Sequence, residues 1–98
     1  MILNIFTVFD SKAEAYLPPF YMSSIGQAQR AFTDSVSNPE HQFGKHPEDY
    51  TLFLIGNFDD SSCAIDMHTT PVSLGTGIEL SSVSQVPKVP DGSAANAA

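Results

Sequence analysis

The sequence predicts an α+β fold: a small, mostly antiparallel sheet in the order β-β-α-β-β, with one helix packed on one face. Three observations carry this. Two runs, Ile2–Phe9 and Tyr50–Phe58, are rich in β-branched and aromatic residues and carry apolar side chains at both parities. Between them Ile25, Ala28, Phe32 and Val36 recur at helical spacing. After the second run, residues 63–68 alternate apolar and polar side chains.

The first strand is Ile2–Phe9, and Asp10-Ser11-Lys12 supplies turn chemistry after it. Residues 15–22 return as an extended segment, which completes a hairpin from residue 2 to 22. Pro18 and Pro19 cannot donate to a ladder, so this segment is an edge strand or irregular. Ser24 opens the helix, 24–37, with Gln27 three residues on in capping-box form. Asn38-Pro39 closes it, because the residue before proline avoids the α region. Residues 39–49 read as a polar loop broken by Gly44 and Pro47.

Tyr50–Phe58 is too apolar for a half-wet edge and belongs at the centre of the sheet. Asp59-Asp60-Ser61-Ser62 turns the chain into Cys63–His68, with Cys63, Ile65 and Met67 expected inward and Asp66 and His68 outward. Residues 69–75 read as irregular, and Gly77–Leu80 as an optional fifth short strand. The expected core is Leu3, Ile5, Val8, Phe9, Ile25, Ala28, Phe32, Val36, Leu52, Leu54, Ile65 and Met67. From Ser81 to Ala98 the chain is mostly Ser, Val, Pro, Gly, Asn and Ala without an aromatic, so residues 1–80 are expected to form the domain and 81–98 a disordered tail.

A chain of 98 residues allows one domain. Eleven acids against four bases give a net charge of −7, which repels phosphate backbones at long range. The bases Lys12, Arg30, Lys45 and Lys88 are scattered and form no patch. Cys63 is the only cysteine, so no intrachain disulfide forms. The apolar N-terminus lacks a basic region and a cleavage motif, and no apolar run spans a membrane, which reads as an intracellular protein.

No catalytic, metal or cofactor site is legible. His41, His46 and His68, with Glu40, Glu48 or Cys63, match no zinc spacing. Asp59 and Asp60 are neighbours in a turn, where their side chains diverge, and the hydroxyls of Ser61 and Ser62 have no evident base. An inward Cys63 is an inert small hydrophobe. Leu74-Gly75-Thr76-Gly77 lacks the third glycine and the following helix of a nucleotide fingerprint and reads as a bend or bulge. The aromatics gather in the strands. They suit core packing better than base stacking, because the strands lack the Lys and Arg that nucleic-acid sites interleave. A third use is a contact surface. One short helix covers only one face of a sheet apolar on both, which favours a homodimer or another partner.

Several stretches together resemble a known family. They are residues 6–13 (Phe-Thr-Val-Phe-Asp-Ser-Lys-Ala), 15–20 (Ala-Tyr-Leu-Pro-Pro-Phe), 30–34 (Arg-Ala-Phe-Thr-Asp) and 38–53, from Asn38-Pro39-Glu40 to Thr51-Leu52-Phe53. Gly56-Asn57-Phe58-Asp59-Asp60 and residues 70–75 (Thr-Pro-Val-Ser-Leu-Gly) continue the likeness. Across residues 2–80 the chain resembles the small nonstructural protein of gokushoviruses, single-stranded DNA phages of the Microviridae. That family is described as DNA-binding. By analogy with the packaging-switch protein of coliphage microviruses, it is assigned to phage DNA replication or packaging.

The resemblance implies a non-enzyme without a cofactor, absent from the virion and working in the cytoplasm of the infected bacterium. It carries no established functional residues. Two readings reconcile it with the charge. In the first, the protein binds viral replication or procapsid proteins, whose basic surfaces suit an acidic partner. In the second, single-stranded DNA meets a restricted patch of Lys12, Arg30 and Lys45 around exposed Tyr16 and Tyr21.

Overall fold

In the computed structural model, which describes residues 1–85, strand β1 (Ile2–Asp10) is an inner strand of a curled sheet. Along one side of it run β2 (Ala15–Tyr16) and β3 (Phe20–Met22); on the other lies β4 (Tyr50–Asp59), followed by β5 (Ala64–Thr76). Every pairing is antiparallel. The expected α+β class therefore holds, as do both expected hairpins.

β2 and β3 are two halves of one edge strand. Phe9 pairs with Tyr16 and Phe6 with Phe20, while Pro18 and Pro19 interrupt the ladder between them. The break is closed locally. The Leu17 N–H donates to the Val8 carbonyl at 2.8 Å, and the Thr7 hydroxyl donates to the Leu17 carbonyl at 2.6 Å.

Helix α1 (Ile25–Val36) lies on one face of this sheet, its ends within a residue of the expected ones. The Ser24 hydroxyl accepts the Gln27 N–H at 3.2 Å. The Gln27 side chain does not return to the cap residue as a strict capping box would. Its carbonyl accepts the Ser23 N–H at 3.2 Å and the Ser23 hydroxyl at 2.6 Å. Ala28, Phe32 and Val36 form the buried stripe, whereas Ile25, expected in the core, sits exposed in the first turn.

The stripe packs on Phe6 and Val8 from β1 and Tyr50 and Leu52 from β4. Phe6 and Leu52 are fully buried, and each contributes about 1.5–3 kcal/mol by removal from water. The segment expected to be a polar loop adds a short helix, α2 (Gln42–Lys45), and a 3₁₀ turn at Pro47–Asp49. Phe43 in α2 is buried, 5.6 Å from the Phe32 ring and 4.5 Å from that of Tyr50. An aromatic flanked by polar residues thus plugs the end of the core.

The largest departures fall in β4 and β5. Phe6 opposes Leu54 and Ile5 opposes Gly56, so Ile55 is an extra residue against β1. On the β5 side, Leu54 pairs with Val72 and Gly56 with Met67, which leaves His68–Pro71 spanning a wide bulge. An extra residue reverses the alternation beyond it. Ile65 and Met67 share a face as expected, but it is the face away from α1, and both are exposed. Cys63 lies exposed in the turn with φ 65°, not in the core. Leu3, Phe9 and Leu54 are half-buried.

Residues 69–75, read as irregular, continue β5 to Thr76. The Gly-x-Gly is a bulge, as expected: Leu52 pairs with Gly75 and Phe53 with Ser73, with Gly75 at φ +129°. A helix does follow it, however. Gly77–Leu80 is the start of α3 (Gly77–Gln85), not a fifth strand, and α3 takes in residues 81–85 of the expected tail. The Glu79 N–H donates to the Thr76 hydroxyl at 3.1 Å, and the Thr76 N–H donates to the Glu79 carboxylate at 2.8 Å. The rest of the expected disordered tail, 86–98, lies outside the described residues.

Candidate functional site

The face of the sheet turned away from α1 is built by alternation on each side of the Ile55 bulge. Toward the C-terminal end of β1 it presents Phe9, Tyr16 and Phe53. Toward the N-terminal end it presents Leu3, Tyr21, Phe58, Ile65 and Met67. At that second end the helix-side positions are Asn4, Asn57 and Asp66. The far face therefore carries apolar side chains at both ends, with Thr7, Thr51 and Ser73 among them and no charged residue, while Met22 beside Asn4 still faces the helix layer.

The rings form two clusters. Tyr16 lies 4.8 Å from Phe9 and 5.9 Å from Phe53, and Tyr21 lies 5.8 Å from Phe58 in an edge arrangement. Tyr16, Tyr21, Ile65 and Met67 are between 45% and 55% exposed. Between the clusters Ile5 and Thr7 are buried. At Gly56 the β5 backbone passes close: a Cβ there would meet the Asp66 carbonyl oxygen at 2.6 Å.

A cavity of about 270 Å³ opens in this face, where the Pro18-Pro19 break of the edge strand meets the β5 bulge. Thr7, Tyr16, Pro19, Ile55, His68 and Pro71 help to line it. His68 Nδ1 is closed off from solvent and has no hydrogen-bond partner within the described chain. A second, larger groove of about 800 Å³ runs between α1 and the sheet edge, past Tyr21, Ser24, Gln27, Arg30 and Asp34.

The five strands contain no Lys and no Arg. Of the residues expected to meet DNA, Tyr16 and Tyr21 stand on the far face. Lys12 is exposed in the β1–β2 turn beside Glu14. Arg30 is on α1 and joins Tyr21 in the open groove, one helical turn from Asp34. Lys45 ends α2, in the helical layer on the opposite side of the sheet. The fold thus brings together Tyr21 and Arg30 but does not gather the five into one patch. Leu3, Phe9, Ile65 and Met67, expected in the core, stand on this face instead, together with Phe53 and Phe58.

The polar clusters have local tasks. Asp59 accepts the Ser61 N–H at 3.0 Å and its hydroxyl at 2.7 Å, while Asp60 meets the amino group of Met1 at 2.9 Å. The two carboxylates diverge, as expected. The Ser61 hydroxyl does have an acceptor, but the bonds from Ser61 hold the Asp59 carboxyl below its ordinary range, which makes it a poor base. His41 Nδ1 accepts the Phe43 N–H at 3.0 Å and caps α2. His46, Glu48 and Asp49 bring three ligating atoms within 4.8 Å of one another before β4. His41 caps the start of α2 and is not among them, and His68 lines the far-face cavity. Among the described residues, no helix is long and apolar enough to cross a membrane.

Residues 3–80 match the family described as "Phage ORF5 protein". No curated protein and no solved structure matches the chain.

Proposed function

The chain belongs to the Phage ORF5 protein family, and on that footing we propose that it is a non-enzymatic, nonstructural phage protein acting through contacts with other proteins. Its service is to genome replication or packaging of a single-stranded DNA phage, of the gokushovirus group in the Microviridae that the sequence resembles. It works in the cytoplasm of the infected bacterium and is not a component of the virion. Its partners are viral replication or procapsid proteins.

One observation carries this reading: an exposed aromatic face on strands that hold no Lys or Arg. Such a face offers desolvation and ring packing to another protein. It offers a nucleic acid only base stacking, about 1–3 kcal/mol per base, without the phosphate contacts that supply most non-specific affinity. The net charge of −7 opposes those contacts further.

A second reading has its own support. Tyr21 and Arg30 line one groove, where a base could stack on the ring while a phosphate meets the guanidinium. Fluorescence anisotropy with labelled single-stranded DNA across a salt series decides between the two. No binding at low salt is expected. Binding that weakens steeply with salt and is lost in Arg30→Ala overturns the protein-contact reading.

A further inference from the structure

We propose that His46, Glu48 and Asp49 form a binding site for one divalent transition-metal ion of the zinc type. The site stands apart from the protein-contact surface of the sheet. No zinc spacing announces it, because a single turn, and not a helix face or a pair of knuckles, brings the ligands together.

Pro47–Asp49 is a 3₁₀ turn with Pro47 at its start. The Asp49 N–H donates to the His46 carbonyl at 3.0 Å. Side chains three apart eclipse in such a turn, which sets His46 and Asp49 on one side with Glu48 beside them. One ligating atom from each lies within 4.8 Å of the other two. His46 Nδ1 is 3.9 Å from a Glu48 carboxylate oxygen, too far for a hydrogen bond. Bonds of ~2.0–2.2 Å to a shared ion hold ligand atoms about 3–4 Å apart. Closure therefore asks for a shift of about 1 Å in the exposed His46 and Glu48 side chains.

Asp49 is what points to a ligand. It is only 9% exposed. Among the described residues no hydrogen bond ends on its carboxylate. The ion pairs there are Met1–Asp60 and His46–Glu48, so no lysine or arginine neutralises it. A buried carboxylate is costly unless it is paired or bound to a metal. Asp10, which opposes Tyr50 across the ladder, is different: it accepts the Lys12 and Ala13 N–H groups at 3.0 and 3.3 Å. Asp10 adds negative charge nearby, while the Asp49 carboxylate stays free for an ion.

The backbone under the ligands is held from two sides. The Ser11 N–H donates to the Asp49 carbonyl at 2.9 Å. Gly77, at the start of α3, packs so close to Pro47 that a Cβ would strike the Pro47 carbonyl. A bound ion would thus fasten the point where the β1–β2 turn, the entry to β4 and the start of α3 meet.

The donor set selects the ion. Calcium takes six to eight oxygens, magnesium demands a near-ideal octahedral shell and dehydrates reluctantly, and copper(I) prefers sulfur. Zinc accepts imidazole nitrogen and carboxylate oxygen together, with three protein ligands and a water completing the shell. The net charge of −7 favours any cation over an anion here.

The test is calorimetric titration of the full untagged chain at neutral pH with zinc chloride, and in parallel with magnesium and calcium chloride. One zinc ion per chain is expected, at micromolar affinity, with magnesium and calcium far weaker. His46→Ala and Glu48→Gln, both at exposed positions, are expected to weaken zinc binding at least about tenfold with an unchanged circular dichroism spectrum. Asp49→Asn is expected to abolish binding. Its metal-free form should melt no lower than the metal-free parent, because an unpaired buried charge is gone. It should also lose the rise in melting temperature that zinc gives the parent. In NMR spectra, zinc is expected to shift the amides of residues 46–50 and Ser11 first. No zinc binding at millimolar concentration overturns the proposal. So does binding indifferent to all three substitutions, binding matched by magnesium or calcium, or amide shifts centred on Asp59 and Asp60 instead.

Discussion

Tyr16 stands with its ring edge toward Phe53, 5.9 Å between centroids, on the side of the sheet that α1 does not cover. Tyr16 comes from the broken edge strand and Phe53 from an inner one, so this contact crosses β1 above Phe9 and Thr7. It shows that the far face is ordered by its own rings without a helix to cover it.

Leu52 is fully buried against α1, and Ile65 is 55% exposed on the far face. Leu52→Ala is expected to cost about 2–5 kcal/mol, the transfer term plus the cavity. Ile65→Ser is expected to change stability by only about 0.5 kcal/mol, measured at about 1 µM to keep self-association out of the result. Urea denaturation checks both. A large loss from Ile65→Ser would place that residue in the core after all.

Gly56 has no room for a side chain, because the Asp66 carbonyl oxygen lies 2.6 Å from where Cβ would sit. Gly56→Ala is expected to destabilise by about 1–3 kcal/mol by forcing the β5 backbone away. Amide exchange should speed up at Asp66 and Met67 before it does in α1. Unchanged stability would mean that β5 does not cross β4 so closely.

Two helix starts rest on side-chain caps. Ser24→Ala is expected to cost about 1 kcal/mol through the lost acceptor for the Gln27 N–H. Thr76→Ala should remove the acceptor of the Glu79 N–H and raise exchange at Glu79 alone among the first-turn amides of α3. Chemical denaturation and hydrogen exchange measure the two effects.

Bonds from Ser61 hold the Asp59 carboxyl below the ordinary carboxylate range. A depressed carboxyl stabilises the fold above its unfolded pKa, and that contribution is lost as pH falls through the folded value. Ser61→Ala should move the Asp59 titration back up toward the ordinary carboxylate range and leave stability at neutral pH less dependent on this turn. Carboxyl carbon shifts followed by NMR across an acid titration report it. An unmoved titration would assign the shift to another neighbour.

Much of the architecture was legible because it is local. The α1 stripe and its Ser24 cap, the Pro39 stop and the two hairpins each depend on residues close in sequence. The start of α3 was legible too. Thr76-Gly77-Ile78-Glu79 is a capping box, and its hydroxyl and carboxylate make the reciprocal bonds. The Gly-x-Gly beside it reads as a bend and masks the helix start. Phe43 gave no periodic signal. It is one aromatic among polar residues, buried only because α2 folds back over Phe32 and Tyr50.

By itself, the sequence determined that this protein has more apolar strand surface than one helix can cover, and that its strands carry no cation. Which residues lie on the uncovered side was decided by the tertiary structure. Alternation records only that Ile65 and Met67 share a face. The face itself depends on one extra residue, Ile55, which has no partner across β1 and reverses every side chain beyond it. A bulge is a mismatch between two strands far apart in the chain, so neither strand's own pattern contains it.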